Sequence, residues 1–145
     1  KTWRTCTTAT TRLVGGEIPN WADFAEGKRR KFQERIQPAL LTTLIYNYGT
    51  ELDQVLEPYL PASSSERMSD PDILAAVVTH AVKQEMACSL ADVLFRRTGL
   101  GTIGHPGKET VERIAHQMAE LLGWDQARRE REMEEIEAAY RCLLP

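Results

Sequence analysis

Apolar residues recur every three or four positions through most of this sequence after residue 20, and proline or glycine interrupts the pattern at intervals. This spacing places the apolar side chains on one face of an α-helix. The segment that follows Asp70-Pro71 is the clearest example, because its apolar face is almost unbroken. No pair of alternating stretches is present from which a sheet could be built. The pattern predicts an all-α fold, a single helical domain of about five to seven helices.

Polar residues of the kind that cap helices mark several helix starts. Asp70 as N-cap, with Pro71 at the first helical position, predicts the start of a central helix over 70–88. Ser89 predicts the next start, and Asp92 stands three residues later in the capping-box position. Further caps are predicted at Thr50 and Asp125.

The N-terminal stretch lacks the helical spacing. Residues 1–19 are rich in threonine and then contain Gly15, Gly16 and Pro19, which favour turns. We expect an extended lead-in over 1–19 and a helical domain over 20–145. With 145 residues and 42% hydrophobic content, the chain is long enough to bury one core. The absence of an initiator methionine favours a piece of a longer polypeptide, and no signal peptide is predicted, because the first residues are polar.

Charge and composition argue against several classes of protein. The formal net charge of -3 is unlike that of dedicated nucleic-acid binders, which usually carry a large positive excess. No apolar run reaches the roughly 18 residues that a membrane-spanning helix needs. Three widely spaced cysteines, Cys6, Cys88 and Cys142, argue against a disulfide framework and favour a reducing cytoplasm. We expect them to be buried as small apolar residues.

One glycine pattern is shared with nucleotide-binding sites. Residues 99–104 match G-x-G-x-x-G, but that fingerprint needs a strand before the glycines and a helix directly after them. A predicted helix precedes the glycines here, and residues 105–107 read His-Pro-Gly, which delays the next helix. We therefore interpret the pattern as a loop between two helices.

No other set of residues predicts catalysis or metal binding. His80 and Glu85 lie five positions apart on a predicted helix, so they point to different sides, and a zinc site would need four ligands at closed spacing. Cys88 has no positioned base beside it, as a nucleophile would need. We assign no catalytic, cofactor-binding or metal-binding residue.

Two charged stretches are predicted to be solvated helix faces. The first is the basic turn Lys28–Lys31, which acidic residues bracket. The second is the outer face of the last helix, where Arg128 and Glu132 form one of several pairs of opposite charge four residues apart.

Arg96 and Arg97 end a predicted helix beside the glycine pattern. Two guanidinium groups there complement the negative end of the helix dipole. Arginine is also the residue that best grips a carboxylate or a neighbouring domain through paired hydrogen bonds. The residues themselves leave both interpretations open.

Three stretches, taken together, carry a family resemblance. Residues 10–16 read T-T-R-L-V-G-G, similar to a T-x-x-L-P-G-G motif with Val14 in place of proline. Residues 44–51 contain a tyrosine-glycine helix end. Residues 81–101 are the most specific, because they follow an A-V-x-x-E-x-A helix and then L-x-D-V-L-x-R-R-T-x-L. Over roughly residues 8–143, the chain resembles the C-terminal domain of FAD-dependent glycerol-3-phosphate dehydrogenases and the related oxidases.

The resemblance implies a parent enzyme that oxidises sn-glycerol 3-phosphate to dihydroxyacetone phosphate and passes a hydride to FAD. It implies a flavin domain upstream in the same polypeptide, from which residues 1–19 lead in. The family's flavin-binding and catalytic parts precede this domain, so no catalytic residue is carried over, and we expect the isolated chain to bind no flavin and to be inactive. Arg96 and Arg97 lie in the most specific stretch and become candidates for docking on the flavin domain.

A second interpretation is a free-standing helical module for protein interaction or regulation, for which the polar last helix offers a surface. Under the first interpretation we expect a cytoplasmic chain whose partner is the flavin domain and not a nucleic acid. The sequence leaves open whether electrons pass to quinone or to oxygen, whether the parent is a homo-oligomer, and whether it attaches peripherally to the inner face of a membrane.

Overall fold

A computed structural model describes residues 5–63 and 66–143. Within these ranges the chain forms six α-helices and no strand, so the all-α prediction is confirmed. The helices are α1 (Trp21–Phe32), α2 (Pro38–Tyr48), α3 (Leu52–Leu56), α4 (Asp70–Lys83), α5 (Lys108–Leu122) and α6 (Gln126–Leu143). A π-helix (Asp92–Arg97) lies between α4 and α5, and two 3-10 turns, Gly49–Glu51 and Glu57–Tyr59, flank α3.

The chain divides into two compact units, Lys1–Met68 and Ser69–Pro145. The boundary predicted between residues 19 and 20 falls inside the first unit. The division into a lead-in and one helical domain stays a prediction, and each unit is described by itself.

Local signals in the sequence account for the helices of the first unit. Asn20 caps α1, since its side-chain oxygen accepts hydrogen bonds from the backbone N–H of Ala22 (3.0 Å) and of Asp23 (3.3 Å). Pro38 stands in the first turn of α2, where its missing N–H costs no hydrogen bond. The buried apolar residues of this unit include Ala25, Phe32, Ile36, Leu41, Leu44, Ile45, Leu52, Val55 and Leu56.

Two glycines join the lead-in to the end of α2. The backbone N–H of Thr50 donates to the carbonyl of Gly15 at 3.2 Å. Gly49 has a φ of 50°, and a Cβ added to it would lie 2.1 Å from the Gly15 oxygen. Only glycine fits at position 49, because both the backbone conformation and the space exclude a side chain. The contact joins two of the three stretches that carry the family resemblance.

The cap predicted at Thr50 is wrong. The residue that precedes α3 is Glu51, and it makes no side-chain capping bond. Thr50 lies instead within the 3-10 turn Gly49–Glu51, and its N–H is held by Gly15. The long-range contact of the lead-in therefore replaces the local cap.

The second unit is built around one buried cluster from α4, the π-helix, α5 and α6. Its buried members are Val78, Ala81, Ala87, Leu90, Val93, Leu94, Val111, Ile114, Ala115, Met118 and Ile136. A polar contact fixes α5 on α4, because the side-chain amide of Gln117 donates to the Ala75 carbonyl (2.7 Å) and to the Thr79 hydroxyl (2.8 Å).

The central helix α4 differs from the prediction at both ends. Its N-cap is Ser69, one residue before the predicted Asp70, and a capping box joins Ser69 to Asp72. The helix ends at Lys83 and not at residue 88. The chain leaves the helix at Met86, whose φ is 59°, and the N–H of Ala87 donates back to the carbonyl of Ala81 at 3.0 Å. Asp92 then accepts the backbone N–H groups of Cys88 and Ser89, both at 3.0 Å, where the next helix begins.

The remaining predicted caps are confirmed. Ser89 accepts the N–H of Asp92 at 3.2 Å while Asp92 accepts the N–H of Ser89, which is the reciprocal pair expected of a capping box. Asp125 accepts the backbone N–H of Arg128 at 2.7 Å and so caps α6.

Candidate functional site

The structure places Arg96 and Arg97 at the end of the π-helix, with both residues exposed. The guanidinium of Arg96 pairs with the carboxylate of Asp92 at 2.7 Å. The Nε of Arg97 donates to the backbone carbonyl of Glu85 at 3.0 Å. Within residues 5–63 and 66–143, Arg97 has no carboxylate in ion-pair contact. The two arginines therefore differ. The charge of Arg96 is compensated by a carboxylate of its own helix, whereas the charge of Arg97 is not.

The π-helix sets the direction of this arginine pair. Both the N–H and the hydroxyl of Thr98 donate to the carbonyl of Val93, five residues earlier, at 3.0 and 2.7 Å. This spacing is wider than the four-residue spacing of an α-helix. Val93 and Leu94 are fully buried, so the segment is anchored on one side while the arginines project on the other.

Asp92 organises the start of the same segment. It accepts the N–H groups of Cys88 and Ser89 and pairs with Arg96. Burial of the Asp92 carboxyl raises its pKa, but the bonds from Cys88, Ser89 and Arg96 together outweigh burial, so the pKa is lowered. Asp92 is thus held ionised, as its capping role requires.

We expect Asp92→Asn to remove the part of the stability of the second unit that depends on an ionised Asp92. The pKa of Asp92 is lower in the folded chain than in the unfolded chain, where it is about 3.9. Its stabilisation is therefore fully present well above about pH 4 and is lost as the pH falls through the folded-state value. Urea unfolding should show Asp92→Asn less stable than wild type at neutral pH, with the difference shrinking in acid.

Asp70→Asn is the matched control, because Asp70 is also an acid in the first turn of a helix, but its exposed side chain accepts no hydrogen bond from the described residues. A difference between wild type and Asp92→Asn that stays constant from neutral pH to acid would contradict the prediction.

Glu132 of α6 corrects the prediction that the charged face of the last helix is solvated throughout. Its side chain is only 3% exposed. One carboxylate oxygen accepts the buried backbone N–H of Leu90 at 2.8 Å, and the other pairs with Arg128. Leu90 lies directly after the N-cap Ser89, so Glu132 serves as a second cap for the segment that carries Arg96 and Arg97. Its partner lies 42 residues away in sequence, so spacing within α6 gave no signal of it.

The glycine pattern forms a loop between the π-helix and α5, as expected, and α6 holds it. The hydroxyl of Tyr140 donates to the carbonyls of Gly101 (2.7 Å) and Gly104 (3.2 Å), and the His105 ring lies 3.1 Å from Glu137. A Cβ at position 101 would lie 2.5 Å from the Tyr140 hydroxyl. These glycine carbonyls face a tyrosine, so this is not the arrangement in which backbone N–H groups cradle a phosphate.

Both lysines of the basic turn of α1 are paired with carboxylates of the first unit. Lys28 and Lys31 pair with the carboxylate of Asp53 at 2.7 and 2.9 Å, and Lys31 also pairs with Glu57 at 2.7 Å. Hydrogen bonds to Glu57 and Asp53 raise the pKa of Lys31. These ion pairs are structural. They compensate the charges of the two lysines, which are therefore poorly suited to bind phosphate.

The expectation of buried cysteines is wrong for Cys6 and Cys88, both of which are exposed. The cause at position 88 is the early end of α4, which puts this residue in a surface turn. The side chain of Cys142 lies outside the described part of the chain. Across residues 5–63 and 66–143, no cluster of three metal-ligating side chains occurs, and none of the helices there is long and apolar enough to cross a membrane.

The sequence model of a family described as the C-terminal domain of alpha-glycerophosphate oxidase matches residues 6–129. A curated relative from Dictyostelium discoideum, named probable glycerol-3-phosphate dehydrogenase, mitochondrial, is 32% identical over 92 residues. The matched region is 62% of this chain and 14% of that relative, so the chain corresponds to a small part of the longer protein. No solved structure matches significantly.

Proposed function

Because this chain belongs to the family of C-terminal domains of alpha-glycerophosphate oxidase, we propose that it is the C-terminal accessory domain of an FAD-dependent glycerol-3-phosphate dehydrogenase. The parent enzyme oxidises sn-glycerol 3-phosphate to dihydroxyacetone phosphate, and the chemistry belongs to an upstream flavin domain. This chain supplies helices that dock on that domain. The observation that carries the proposal is the family match over residues 6–129.

The lengths of the proteins support the assignment of the chemistry to an upstream domain. The similarity to the glycerol-3-phosphate dehydrogenase covers only 14% of that protein, which leaves most of its length for cofactor and substrate. A free-standing interaction module is the second candidate, and the family match does not favour it. The encoding gene separates the two: a reading frame continuing upstream into a dinucleotide fingerprint supports the first, and a start codon directly before Lys1 contradicts it.

The proposal includes two further features, a cofactor that follows from the family resemblance and a compartment that follows from the three widely spaced cysteines. FAD is the cofactor of the upstream domain, and the cytoplasm is the compartment of this chain. Peripheral attachment of the parent to the inner face of a membrane and assembly into a homo-oligomer are open alternatives within it.

We propose that Arg97 is the stronger of the two docking candidates. Arg96 is engaged by Asp92 on its own helix, whereas Arg97 makes a single hydrogen bond, to Glu85, among the described residues. The charge of Arg96 is already compensated by Asp92, so a carboxylate of another domain gains less from pairing with it than with Arg97. Arg97 keeps its two terminal nitrogens available for a carboxylate or for backbone carbonyls across an interface.

We expect Arg97→Ala to have a small effect on the chain alone and a large effect in the longer polypeptide. In the 145-residue chain, loss of the bond to Glu85 and of the dipole contact costs about 0.5–1.5 kcal/mol. Loss of an arginine from a buried interdomain pair costs about 2–5 kcal/mol. Unfolding of both proteins and turnover of glycerol 3-phosphate by the longer one measure the difference.

Arg113→Ala is the matched control, because Arg113 is also exposed and pairs with Glu109 on its own helix. Arg113→Ala should leave the stability of both proteins and the turnover by the longer one nearly unchanged. Equal losses of stability from Arg97→Ala in the two proteins would show that Arg97 serves only its own fold, and the docking role would be wrong.

A further inference from the structure

Met86 has a backbone conformation that L-residues rarely adopt. Among the described residues it is the only one other than glycine with a positive φ, at 59°. Its side chain is not used inside the chain, because the residue is 82% exposed. A side chain held at such a φ is strained, since its Cβ approaches the following carbonyl oxygen. The position thus combines strain with an apolar side chain in water.

The turn around Met86 is held in place by several contacts. The N–H of Ala87 donates to the carbonyl of Ala81 at 3.0 Å, and the Cys88 thiol donates to the Met86 carbonyl at 3.3 Å. Arg97 holds the adjacent Glu85 carbonyl at 3.0 Å. The direction in which Met86 projects is therefore fixed by the fold.

The same turn carries a second unfavourable feature. Oε2 of Glu85 is buried and accepts no hydrogen bond from any described residue. A buried polar atom without a partner is destabilising and is uncommon in native proteins. Closure of the end of α4 requires a left-handed residue, and glycine would supply it without strain. Methionine at this position therefore destabilises the isolated chain. Because its side chain is largely exposed, contact with another surface is the role that remains for it.

We propose that Met86 is an apolar anchor that inserts into a recess on the upstream part of the same polypeptide, beside a polar contact made by Arg97. This inference rests on the proposed function, since it takes the upstream flavin domain as the occupant. The matched region is 14% of the curated relative, so a large body of chain is available to cover this surface. Methionine and arginine are both enriched at protein interfaces relative to the rest of the surface.

The choice of Met86 over other exposed apolar residues depends on strain. Ile103 is 99% exposed at the tip of the glycine loop, but single exposed apolar residues are normal on protein surfaces. Met86 differs because its backbone conformation is itself unfavourable and because its turn is held by Arg97. Strained positions of this kind cluster at functional contacts.

The first test uses oxidation of Met86 by hydrogen peroxide, followed by mass spectrometry. In the 145-residue chain the exposed thioether should react readily. In the longer polypeptide the anchored side chain should react more slowly, on the order of tenfold. Equal rates in the two proteins would overturn the proposal.

The second test compares Met86→Gly with Met86→Leu. Met86→Gly should raise the melting temperature of the 145-residue chain by about 2–4 °C, because it relieves the strain. In the longer polypeptide it should speed hydrogen exchange of residues 84–98 on the order of tenfold, because the anchor is lost. Met86→Leu keeps an apolar side chain and should exchange like wild type. A Met86→Gly polypeptide that exchanges like wild type would overturn the proposal.

The exchange data also separate this inference from the proposed function. Protection of other parts of the chain in the longer polypeptide, without protection of residues 84–98, would overturn the Met86 anchor and leave the accessory-domain role standing. Exchange that is identical throughout in the chain alone and in the longer polypeptide would overturn both.

Discussion

Gly49→Ala should destabilise the first unit by about 2–4 kcal/mol, because a Cβ at this position meets the backbone of the lead-in. The added carbon would lie 2.1 Å from the carbonyl oxygen of Gly15, and the φ of 50° is unfavourable for alanine in any surroundings. The obstacle is backbone and not the end of a flexible side chain, so the clash can be relieved only by moving the lead-in. Denaturant unfolding followed by circular dichroism measures the loss.

Gly27→Ala is the matched control for this substitution. Gly27 lies inside α1, and a Cβ added there would meet no atom within 4 Å. Alanine should stabilise the helix by about 0.5–1 kcal/mol, because it loses less backbone entropy than glycine on folding. The two Gly→Ala substitutions therefore have opposite expected signs. A Gly49→Ala chain as stable as wild type would show that the lead-in does not hold its place against α2.

Glu132→Ala should destabilise the second unit by about 2–4 kcal/mol. The substitution removes the only described side-chain acceptor of the Leu90 N–H, which is buried, and it leaves a cavity at a side chain that is 3% exposed. It also leaves Arg128 without its carboxylate partner. Glu132→Gln keeps an acceptor oxygen and should cost less, about 1–2 kcal/mol.

Glu134→Ala, two residues further along α6, is the control for this comparison. The side chain of Glu134 is exposed and accepts no hydrogen bond from the described residues. Its loss should leave the denaturation midpoint nearly unchanged. Similar losses from Glu132→Ala and Glu134→Ala would mean that the whole charged face of α6 is solvated, as the spacing of its charges first indicated.

Local patterns predicted the helices because the interactions that start and stop them lie within a few residues. The capping box of Ser89 and Asp92 spans three positions, and the cap of α6 by Asp125 also spans three. The all-α class and the interhelical glycine loop followed from the same short-range signals. Misplacement of the α4 cap by one residue reflects a choice between two adjacent polar residues, Ser69 and Asp70.

The features that the sequence did not reveal depend on partners far along the chain. Glu132 looks like any other carboxylate of a charged helix until Leu90, 42 residues earlier, is brought against it. Thr50 loses its predicted capping role to Gly15 in the same way. The early end of α4 escaped prediction because the apolar spacing continues past Lys83 while the backbone turns at Met86. Periodicity reports which face is apolar and carries little information about where the chain changes direction.

The wide turn of the π-helix has a consequence for how this segment compares with relatives. A π-turn accommodates one residue more than an α-helical turn, so it is equivalent to a single-residue insertion inside a helix. A homologue in which the same segment is α-helical would lack one residue between Asp92 and Thr98. The gap in an alignment would then belong inside this helix and not in the glycine loop that follows. Placing it in the loop would shift Arg96 and Arg97 by one position and match each arginine with the wrong residue of the relative.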